Sequence, residues 1–450
     1  MENLKRKIDN YLLEWKNDVN RLPLIIKGAR QVGKTTSIEK FANENYESFI
    51  EINFIENPEY KDILANGYQT DSIIRNISLK NPSFKFIPNK TLIFFDEIQK
   101  YPDIATSLKF FKTDGRYDII CSGSLMGINY NEIESNSVGY KTDYIMQSMD
   151  FEEFLWAKGY NANQIEDLYR HMVKLEPLSN LEMNVFNNIF IEYLIIGGMP
   201  AIVKKFIENK NYSGILDMQK QIIKDYEEDI TQYAGTLDKT KILNVYKSIK
   251  IFLGKENKKF QITKVEHGAR NRDYVGVVDW LDSAGIVNVS YCMNVLETPL
   301  NVNYNPDNMR LYFADTGLLI GSLDKESQED LRNNKNFNTY KGAIYENIVG
   351  DMLVKSGYQL YFYRNEKSTV EIDFVIRDSE SIIPIEVKAS NSQAISLNRL
   401  IEEEQFNQVK YGFKLCNKNI GFNGKFYTFP YFMTFLLKRF LEEKNELKEE

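Results

Sequence analysis

The sequence is poor in the residues that mark fibrous, linker-rich or disulfide-bonded proteins. Its 450 residues include only 24 glycines and 11 prolines, too few for collagen-like repeats or long flexible linkers. The three cysteines, Cys121, Cys292 and Cys416, are odd in number and far apart, which disfavours a disulfide framework and a zinc site. The two histidines, His171 and His267, lie outside any ligand-like cluster. No histidine-based metal or nucleophilic site is therefore predicted.

Long apolar runs are also missing. No stretch of about 18 consecutive apolar residues occurs, and residues 1–20 lack the apolar core of a signal peptide. With the scattered cysteines, this predicts a cytoplasmic protein without a membrane partner. The content of 43% hydrophobic and 26% charged residues is the balance of a folded protein rather than a disordered one. The net charge of −7 argues against a coat of nucleic acid, although it does not exclude a local basic patch.

The first third of the chain has the pattern of an α/β domain. Apolar strands are predicted at 24–26, 49–54, 91–95 and 118–121, with stretches between them that are long enough for crossover helices. Such alternation is typical of a parallel sheet with helices packed on it. We therefore expect an α/β domain that ends near residue 148.

The rest of the chain is predicted to contain three further regions and a tail. The last folded region opens with a predicted helix at 342–356 and continues with strands at 360–364, 369–377 and 382–388. The predicted regions are the α/β domain at 1–148, a helical lid or connector at 149–238, a winged-helix-like region at 239–334, a second α/β unit at 335–440 and a charged tail at 441–450.

A phosphate-binding motif follows the first predicted strand. Residues 28–35 match G-x-x-x-x-G-K-[ST] and precede a predicted helix. Glycines let the backbone wrap close to phosphate, where successive N–H groups meet the anion. Lys34 is expected to reach the β- and γ-phosphates, and the Thr35 hydroxyl to bind Mg²⁺. The alternative, a glycine-containing surface loop, is disfavoured by the strand before and the helix after. The predicted nucleotide-binding residues are Gly28, Ala29, Arg30, Gln31, Val32, Gly33, Lys34, Thr35 and Thr36.

Two further strand ends carry polar residues suited to the same site. Residues 92–95 are apolar and lead into Asp96 and Glu97. Asp96 is expected to hold Mg²⁺ through water, and Glu97 to polarise the attacking water. Adjacent acids could instead form a turn or a helix cap, but their pairing with the lysine loop favours the site. After the fourth predicted strand, Ser122 or Ser124 is a candidate contact to the γ-phosphate, with ordinary loop chemistry as the alternative.

In this order, the lysine loop, the acidic strand end and the polar strand end resemble the AAA superfamily of P-loop ATPases. The chain is more closely similar to bacterial and archaeal ATPases that carry a C-terminal domain of unknown function. That resemblance includes the segments 151–155, 193–194, 197–200 and 313–317, which contain Gly197-Gly198-Met199-Pro200 and Phe313-Ala314-Asp315-Thr316-Gly317. It implies ATP and Mg²⁺ as cofactors, but the later segments identify the family without explaining a chemistry.

Acidic and basic residues alternate with apolar ones near the C-terminus. Glu371 and Asp373 share one face of a predicted strand, and Glu386 and Lys388 share one face of the next. If the two strands pair, Asp373, Glu386 and Lys388 converge. The two carboxylates could then bind Mg²⁺, and Lys388 could orient or activate the water that attacks phosphorus. Glu346, on the preceding helix, could complete the acidic cluster.

This cluster resembles the PD-(D/E)xK nuclease superfamily. Asp373 matches the first acid, Glu386 and Lys388 match the E-x-K, and Glu346 matches the helical acid, whereas Ile372 replaces the usual proline. The alternative is a half-exposed hairpin with a Glu–Lys ion pair on its wet face. Four carboxylates beside only one lysine would repel each other, so a divalent cation is expected among them.

The favoured function is ATP binding and hydrolysis, coupled to a nuclease-like domain that acts at DNA. Arg270 and Arg272, before the recognition helix of the predicted winged helix, are candidate phosphate contacts, with solvated loop charges as the alternative. The runner-up is an ATP-driven regulatory switch for protein partners, in which the nuclease-like fold is inert. A DNA-binding regulator without turnover would require that Glu97 is not catalytic. The motifs do not specify an oligomeric state.

Overall fold

The computed structural model describes residues 4–124, 137–234, 238–255, 259–266, 270, 274, 276–333, 339–365, 370–388 and 393–449. The chain divides into two compact units. The first comprises Met1–Ser148 and Ser283–Gly285, and the second comprises Met149–Asp282 and Ile286–Glu450. No helix in the described part of the chain combines the length and the apolar character needed to span a membrane.

The first unit is built on a five-stranded sheet with the order β2-β3-β4-β1-β5, in which every pair is parallel. The strands are β1 (Leu24–Gly28), β2 (Ser48–Asn53), β3 (Thr91–Asp96), β4 (Asp118–Ser124) and β5 (Thr142–Ile145). The helices are α1 (Lys7–Asn17), α2 (Lys34–Asn45), α3 (Thr70–Lys80) and α4 (Ile104–Asp114). The predicted α/β domain with a parallel sheet is confirmed.

Burial explains why these strands form the centre of the unit. All residues of β1 and β3 are buried, as expected for parallel strands covered on both faces. A core cluster joins apolar residues of β1 to β4 with α3 and α4, including Ile93, Phe95 and Leu108. The edge strand β5 has no buried residue, which is why its polar sequence gave no strand signal. Because parallel strands end at one edge, the ends of β1 to β4 bring their polar residues together.

Twelve helices are described after residue 148. They are α5 (Phe151–Ala157), α6 (Ala162–Lys174), α7 (Asn180–Ile196), α8 (Pro200–Asn209), α9 (Ile215–Tyr233), α10 (Lys239–Leu253), α11 (Val277–Ser283), α12 (Thr316–Gly321), α13 (Lys325–Arg332), α14 (Thr339–Lys355), α15 (Ile395–Glu402) and α16 (Leu437–Glu449). The helical character expected for 149–238 agrees with α5 to α9.

A mixed eight-stranded sheet forms the second unit's other layer, in the order β12-β13-β11-β10-β9-β8-β6-β7. Its strands are β6 (Val287–Met293), β7 (Tyr304–Phe313), β8 (Leu360–Arg364), β9 (Glu371–Arg377), β10 (Ile382–Val387), β11 (Gly412–Cys416), β12 (Gly421–Phe422) and β13 (Phe426–Pro430). β6 pairs with β8 in parallel, from Ser290 opposite Leu360 to Met293 opposite Tyr363. The sheet therefore crosses the boundary predicted between residues 334 and 335, and the winged-helix-like region stays a prediction.

The glycine-rich segment at 197–200 and the segment at 313–317 contact each other inside the second unit. The Gly198 N–H donates to Asp315 Oδ2 at 2.8 Å. A Cβ atom on Gly198 would lie 2.0 Å from the carbonyl oxygen of Met149, and one on Gly317 would lie 2.2 Å from that of Ile196. Only glycine fits these approaches. Close packing between the two segments thus explains why glycine is required at these positions.

Candidate functional site

The loop after β1 has the backbone shape of an anion nest. Gln31 and Gly33 have positive φ angles of 65° and 95°, and α2 begins at Lys34. At the start of the loop, a Cβ atom on Gly28 would lie 2.2 Å from the carbonyl oxygen of Met146, so a larger residue cannot be accommodated. Alternating backbone conformations of this kind turn N–H groups towards one side, where the helix N-terminus adds to the positive field.

Lys34 lies folded over its own loop. Its Nζ donates to the carbonyl oxygens of Gly28 at 3.1 Å and Ala29 at 2.8 Å. Burial lowers the pKa of Lys34 to about 8, although Glu97 and Asp96 oppose this effect. An amine whose partners are carbonyls can exchange them for phosphate oxygens, which carry full charge and bind an ammonium more strongly.

Asp96, at the end of β3, receives hydrogen bonds from three neighbouring elements. Its Oδ2 accepts from Thr35 Oγ1 at 3.2 Å and from Asn53 Nδ2 at 3.2 Å, and its Oδ1 accepts from Ser122 Oγ and from the Glu97 N–H at 2.9 Å. The structure thus brings together Thr35, Asp96 and Ser122, three of the residues predicted from sequence. Asn53 was not anticipated, although its position at the end of the neighbouring strand β2 was a usable signal.

These donors fit the magnesium ion that the motif implies. Mg²⁺ prefers hard oxygen ligands and commonly retains water, so one or two protein groups and the substrate phosphates suffice. The Thr35 hydroxyl and the Asp96 carboxylate lie 3.2 Å apart, on the side of the loop where α2 begins. Both are oxygen donors, and one is anionic. The pair can serve as the protein share of a magnesium shell.

Glu97 has an unusual backbone and a partner that sequence reasoning missed. Its φ of 56° is in the left-handed region, which turns its side chain out of the direction of β3. Gln99 Nε2 donates to Glu97 Oε2. Burial raises the pKa of the Glu97 carboxyl and Asp96 raises it further, whereas Lys34, the Gln99 hydrogen bond and Arg30 lower it. A carboxyl with a raised pKa is better suited to accept a proton near neutral pH.

The C-terminal cluster contains a buried arginine. Arg310, on β7, has a side chain that is only 2% exposed. Its Nη1 lies 3.2 Å from Glu346 Oε1 and 3.9 Å from Asp373 Oδ1, and its Nη2 donates to Glu371 Oε1. Burial disfavours the charge, but neighbouring Tyr312 and the three carboxylates outweigh that effect and raise the pKa of Arg310. The guanidinium is therefore a buried cation of this cluster.

Neighbouring aromatic residues complete the surroundings of Arg310. Tyr312 OH donates to Glu346 Oε1 at 2.6 Å, so one carboxylate oxygen receives hydrogen bonds from both side chains. The guanidinium carbon lies 4.1 Å from the centre of the Phe362 ring, a cation–π arrangement. Glu346 is itself buried, with 1% exposure. The Glu346 carboxylate therefore receives hydrogen bonds from two side chains of β7, those of Arg310 and Tyr312.

The predicted E-x-K residues lie beside this arginine cluster. Lys388 Nζ is 2.7 Å from Glu386 Oε1, and the Val387 N–H donates to Asp373 Oδ2 at 2.8 Å. Burial raises the pKa of Glu386, whereas Lys388 lowers it. Glu386 Oε2 is buried and has no hydrogen-bond partner within the part of the chain that the structure describes. The ion pair expected from the hairpin alternative is present, although Glu386 is buried rather than solvated.

The carboxylates predicted to bind a second metal already pair with cationic side chains of the protein. Glu346 and Asp373 face Arg310, and Glu386 faces Lys388. Across the described ranges, no three His, Cys, Asp or Glu side chains are grouped so as to hold a metal ion. The premise of four acids beside one lysine is wrong, because Arg310 comes from a strand outside the predicted unit. Protein cations thus lie beside the acids where the sequence predicted a divalent ion.

Part of the predicted DNA contact cannot be placed. Arg270 is described, whereas His267 and Arg272 lie outside the described residues. A nearby open cavity of about 690 Å³ is lined by residues that include Lys259, Tyr274 and Asp279. Its described lining combines aromatic rings with charges of both signs. The described part of the lining is therefore not predominantly basic, as a phosphate-reading surface would be.

Three family models match the chain. Residues 20–155 match an AAA domain, residues 187–329 match a domain of unknown function (DUF8612), and residues 341–432 match another (DUF4143). The first match agrees with the predicted AAA-type P-loop domain, and the last with the expected C-terminal domain of unknown function. A search of curated proteins finds no match.

The chain is also similar to several solved structures. A Walker-type ATPase of Pyrococcus abyssi is 14% identical, with 71% of this chain and 95% of that chain covered and a TM-score of 0.42. PCH-2 of C. elegans is 13% identical over 44% and 60%, with a TM-score of 0.27. The Orc1 protein of Aeropyrum pernix in complex with DNA is 12% identical over 73% and 91%, with a TM-score of 0.28. Likenesses at this level carry no argument about function.

Proposed function

We propose that the N-terminal AAA-type P-loop domain binds ATP with Mg²⁺ and hydrolyses it. The observation that carries this proposal is the hydrogen-bonded group of Thr35, Asp96 and Ser122 beside Lys34 and its loop. Four separate elements bring these groups to the carboxyl edge of the sheet, where open α/β sheets bind their ligands. A glycine-containing surface loop would not require this convergence.

Each residue has a distinct role in this proposal. The loop N–H groups cradle the phosphates, and Lys34 exchanges its two carbonyl partners for phosphate oxygens. Thr35 and Asp96 would hold Mg²⁺, which when bound neutralises charge on the β- and γ-phosphate oxygens. Ser122 fixes the Asp96 carboxylate and is a candidate contact to the γ-phosphate. Glu97 orients the attacking water and accepts its proton.

Substitution of Glu97 by glutamine tests the assignment. Glu97→Gln should bind ATP as the wild type does but hydrolyse it about a hundredfold more slowly, because it removes the base without removing a phosphate contact. Binding is measured by calorimetry and turnover by phosphate release. Glu47→Gln, at an exposed glutamate that pairs with Lys90, is the matched control and should leave both unchanged. Turnover by Glu97→Gln at the wild-type rate would contradict the proposal.

For the second unit, we propose a nuclease-like fold that does not cleave. Arg310 meets Glu346, Glu371 and Asp373, the acids that a metal-dependent nuclease would leave for its cation. This favours the ATP-driven regulatory switch over an ATPase coupled to DNA cleavage, and it makes protein partners the first candidates. DNA remains a candidate partner, and a cytoplasmic location remains a prediction.

The regulatory-switch proposal and the coupled-nuclease proposal predict different results in a plasmid assay. Plasmid DNA incubated with the purified protein and Mg²⁺, with and without ATP, should stay intact. Nicked or linear plasmid in the wild-type sample, absent with Asp373→Ala, would overturn the non-cleaving proposal and restore the coupled nuclease. That outcome would leave the ATPase assignment untouched.

A further inference from the structure

Arg6 reaches the phosphate-binding loop from a part of the chain that precedes the match to the AAA domain. It lies just before α1 and is only 5% exposed. Its Nη1 donates to the carbonyl oxygen of Val32 at 2.8 Å, and its Nη2 donates to that of Gln147 at 2.8 Å. One guanidinium therefore ties the loop to the segment that follows β5. A planar fork of N–H donors suits two acceptors in fixed positions.

The contact at Val32 fixes the orientation of a peptide unit in the loop. A trans peptide is planar, so the carbonyl of Val32 and the N–H of Gly33 point in opposite directions. When Arg6 holds the carbonyl oxygen outside the loop, the Gly33 N–H is turned towards the concave side. Gly33 has a φ of 95° and directly precedes α2. Its N–H therefore belongs to the donors of the anion nest.

Arg6 is linked to α2 through Asp9. Its backbone N–H donates to Asp9 Oδ2 at 3.1 Å, and the same Asp9 oxygen lies 2.9 Å from Nζ of Lys40 on α2. Further along α1, the ring of Trp15 packs 6.5 Å from that of Phe41, also on α2. An ion pair and a ring contact therefore join α1 to the helix that starts at the nest. The donor is preorganised relative to the loop.

We propose that Arg6 is a positioning residue for nucleotide binding, which presets the Val32–Gly33 peptide so that the Gly33 N–H faces the phosphates. This inference rests on the proposed nucleotide site. Without Arg6 the peptide would have to be ordered by the ligand, and that cost would appear as weaker binding. The same peptide is needed in the ground state and the transition state, so the effect should fall on KM rather than on kcat.

The test compares two substitutions at Arg6 with a matched arginine. Arg6→Met removes both donors, whereas Arg6→Lys keeps the charge but not the two-pronged geometry. The control is Arg21→Met. Arg21 also lies near the N-terminus, but it pairs with Asp118 at the start of β4, the edge of the sheet away from the nest. The probe is Mg·ADP, titrated into the full-length protein by calorimetry.

We expect Arg6→Met to raise the Kd for Mg·ADP by about tenfold to a hundredfold, the usual worth of a hydrogen bond from a charged donor. Arg6→Lys should weaken binding by about threefold or more, because one ammonium cannot replace the fork. Arg21→Met should stay within about twofold of wild type while lowering Tm. In ATPase assays, KM for ATP should rise in the Arg6 variants with kcat within about threefold.

Three results would overturn the inference. The first is wild-type affinity for Mg·ADP in Arg6→Met. The second is wild-type affinity in Arg6→Lys, which would show that charge alone suffices. The third is a loss of affinity in Arg21→Met equal to that in Arg6→Met. If Arg6→Met does not fold, Arg6→Lys decides. Lys34→Ala distinguishes failure of the proposed nucleotide site from failure of the role of Arg6. Normal binding by that variant would contradict the nucleotide site itself. Loss of binding in Lys34→Ala with normal binding in the Arg6 variants would contradict only the role of Arg6.

Discussion

The acidic residues of the two units differ in how cationic side chains of the protein contact them. In the first unit, Lys34 bonds to carbonyl oxygens of its own loop, and the Asp96 carboxylate is surrounded by hydroxyl, amide and N–H donors. In the second unit, Arg310 bonds directly to Glu346 and Glu371. In the first unit, Lys34 donates to uncharged carbonyl oxygens, which phosphate oxygens can replace in the proposed ATP complex. In the second, the cation is already committed within the protein.

The comparison shows why similar residue patterns lead to different chemistry. Buried carboxylates are costly unless a cation or hydrogen bonds compensate them, and the cation can be a bound metal or a side chain of the protein. A cationic side chain beside the carboxylates stabilises the fold, but it occupies the place in which a catalytic metal ion would bind. A metal-binding cluster and a cluster paired with a protein cation can have the same acidic residues at the same spacing. The distinguishing residue lies elsewhere in the sequence.

The largest expected effect concerns the stability of the second unit. Arg310→Met should destabilise it by about 3–5 kcal/mol, because removing one partner of a buried ion pair leaves uncompensated carboxylates. Arg364→Met is the matched control, since Arg364 lies 3.5 Å from the same Glu371 but is 27% exposed. Its loss should stay below about 1 kcal/mol. Urea unfolding of the two variants measures the difference, and equal losses would break the comparison.

A smaller effect is expected at the nucleotide site. Gln99→Met removes the donor to Glu97 Oε2 and should lower kcat by about tenfold, the lower end of the usual worth of a hydrogen bond to a charged group, with nucleotide affinity unchanged. In the Glu97→Gln background, the same substitution should cost nothing further, because the carboxylate that it positions is absent. Gln69→Met, at an exposed glutamine before α3, is the control. Additive losses would indicate a general structural role for Gln99 instead.

Local patterns predicted the nucleotide site better than the C-terminal cluster. The lysine loop is one continuous segment of sequence, and so is the acidic strand end. Each is directly attached to the strand or helix that positions it. Arg310, by contrast, reaches Glu346 because β6 carries β7 to the edge of a sheet whose other strands come after residue 359. No local periodicity reveals such a pairing. Arg310 stands between Met309 and Leu311 in the apolar second half of β7, and this was the available sign of a buried partner.

Arg6, Asn53 and Gln99 illustrate a second kind of omission. Each acts on a predicted residue by a single side-chain contact: Arg6 on Val32, Asn53 on Asp96 and Gln99 on Glu97. None belongs to the motif that it supports. Asn53 could have been inferred from its place at a strand end next to β3. Arg6 could not, because its acceptors lie 26 and 141 residues away.

The most direct test asks whether the C-terminal cluster needs a metal. Unfolding of the full-length wild type and of Asp373→Ala is followed with and without millimolar Mn²⁺, in the absence of nucleotide. Because Arg310 and Lys388 already pair with these acids, any stabilisation by Mn²⁺ should be the same in both proteins. A metal bound at the cluster would instead stabilise the wild type by RT ln(1 + [L]/Kd), about 2.7 kcal/mol at a hundredfold excess over Kd. A gain of that size that disappears in Asp373→Ala would contradict the account.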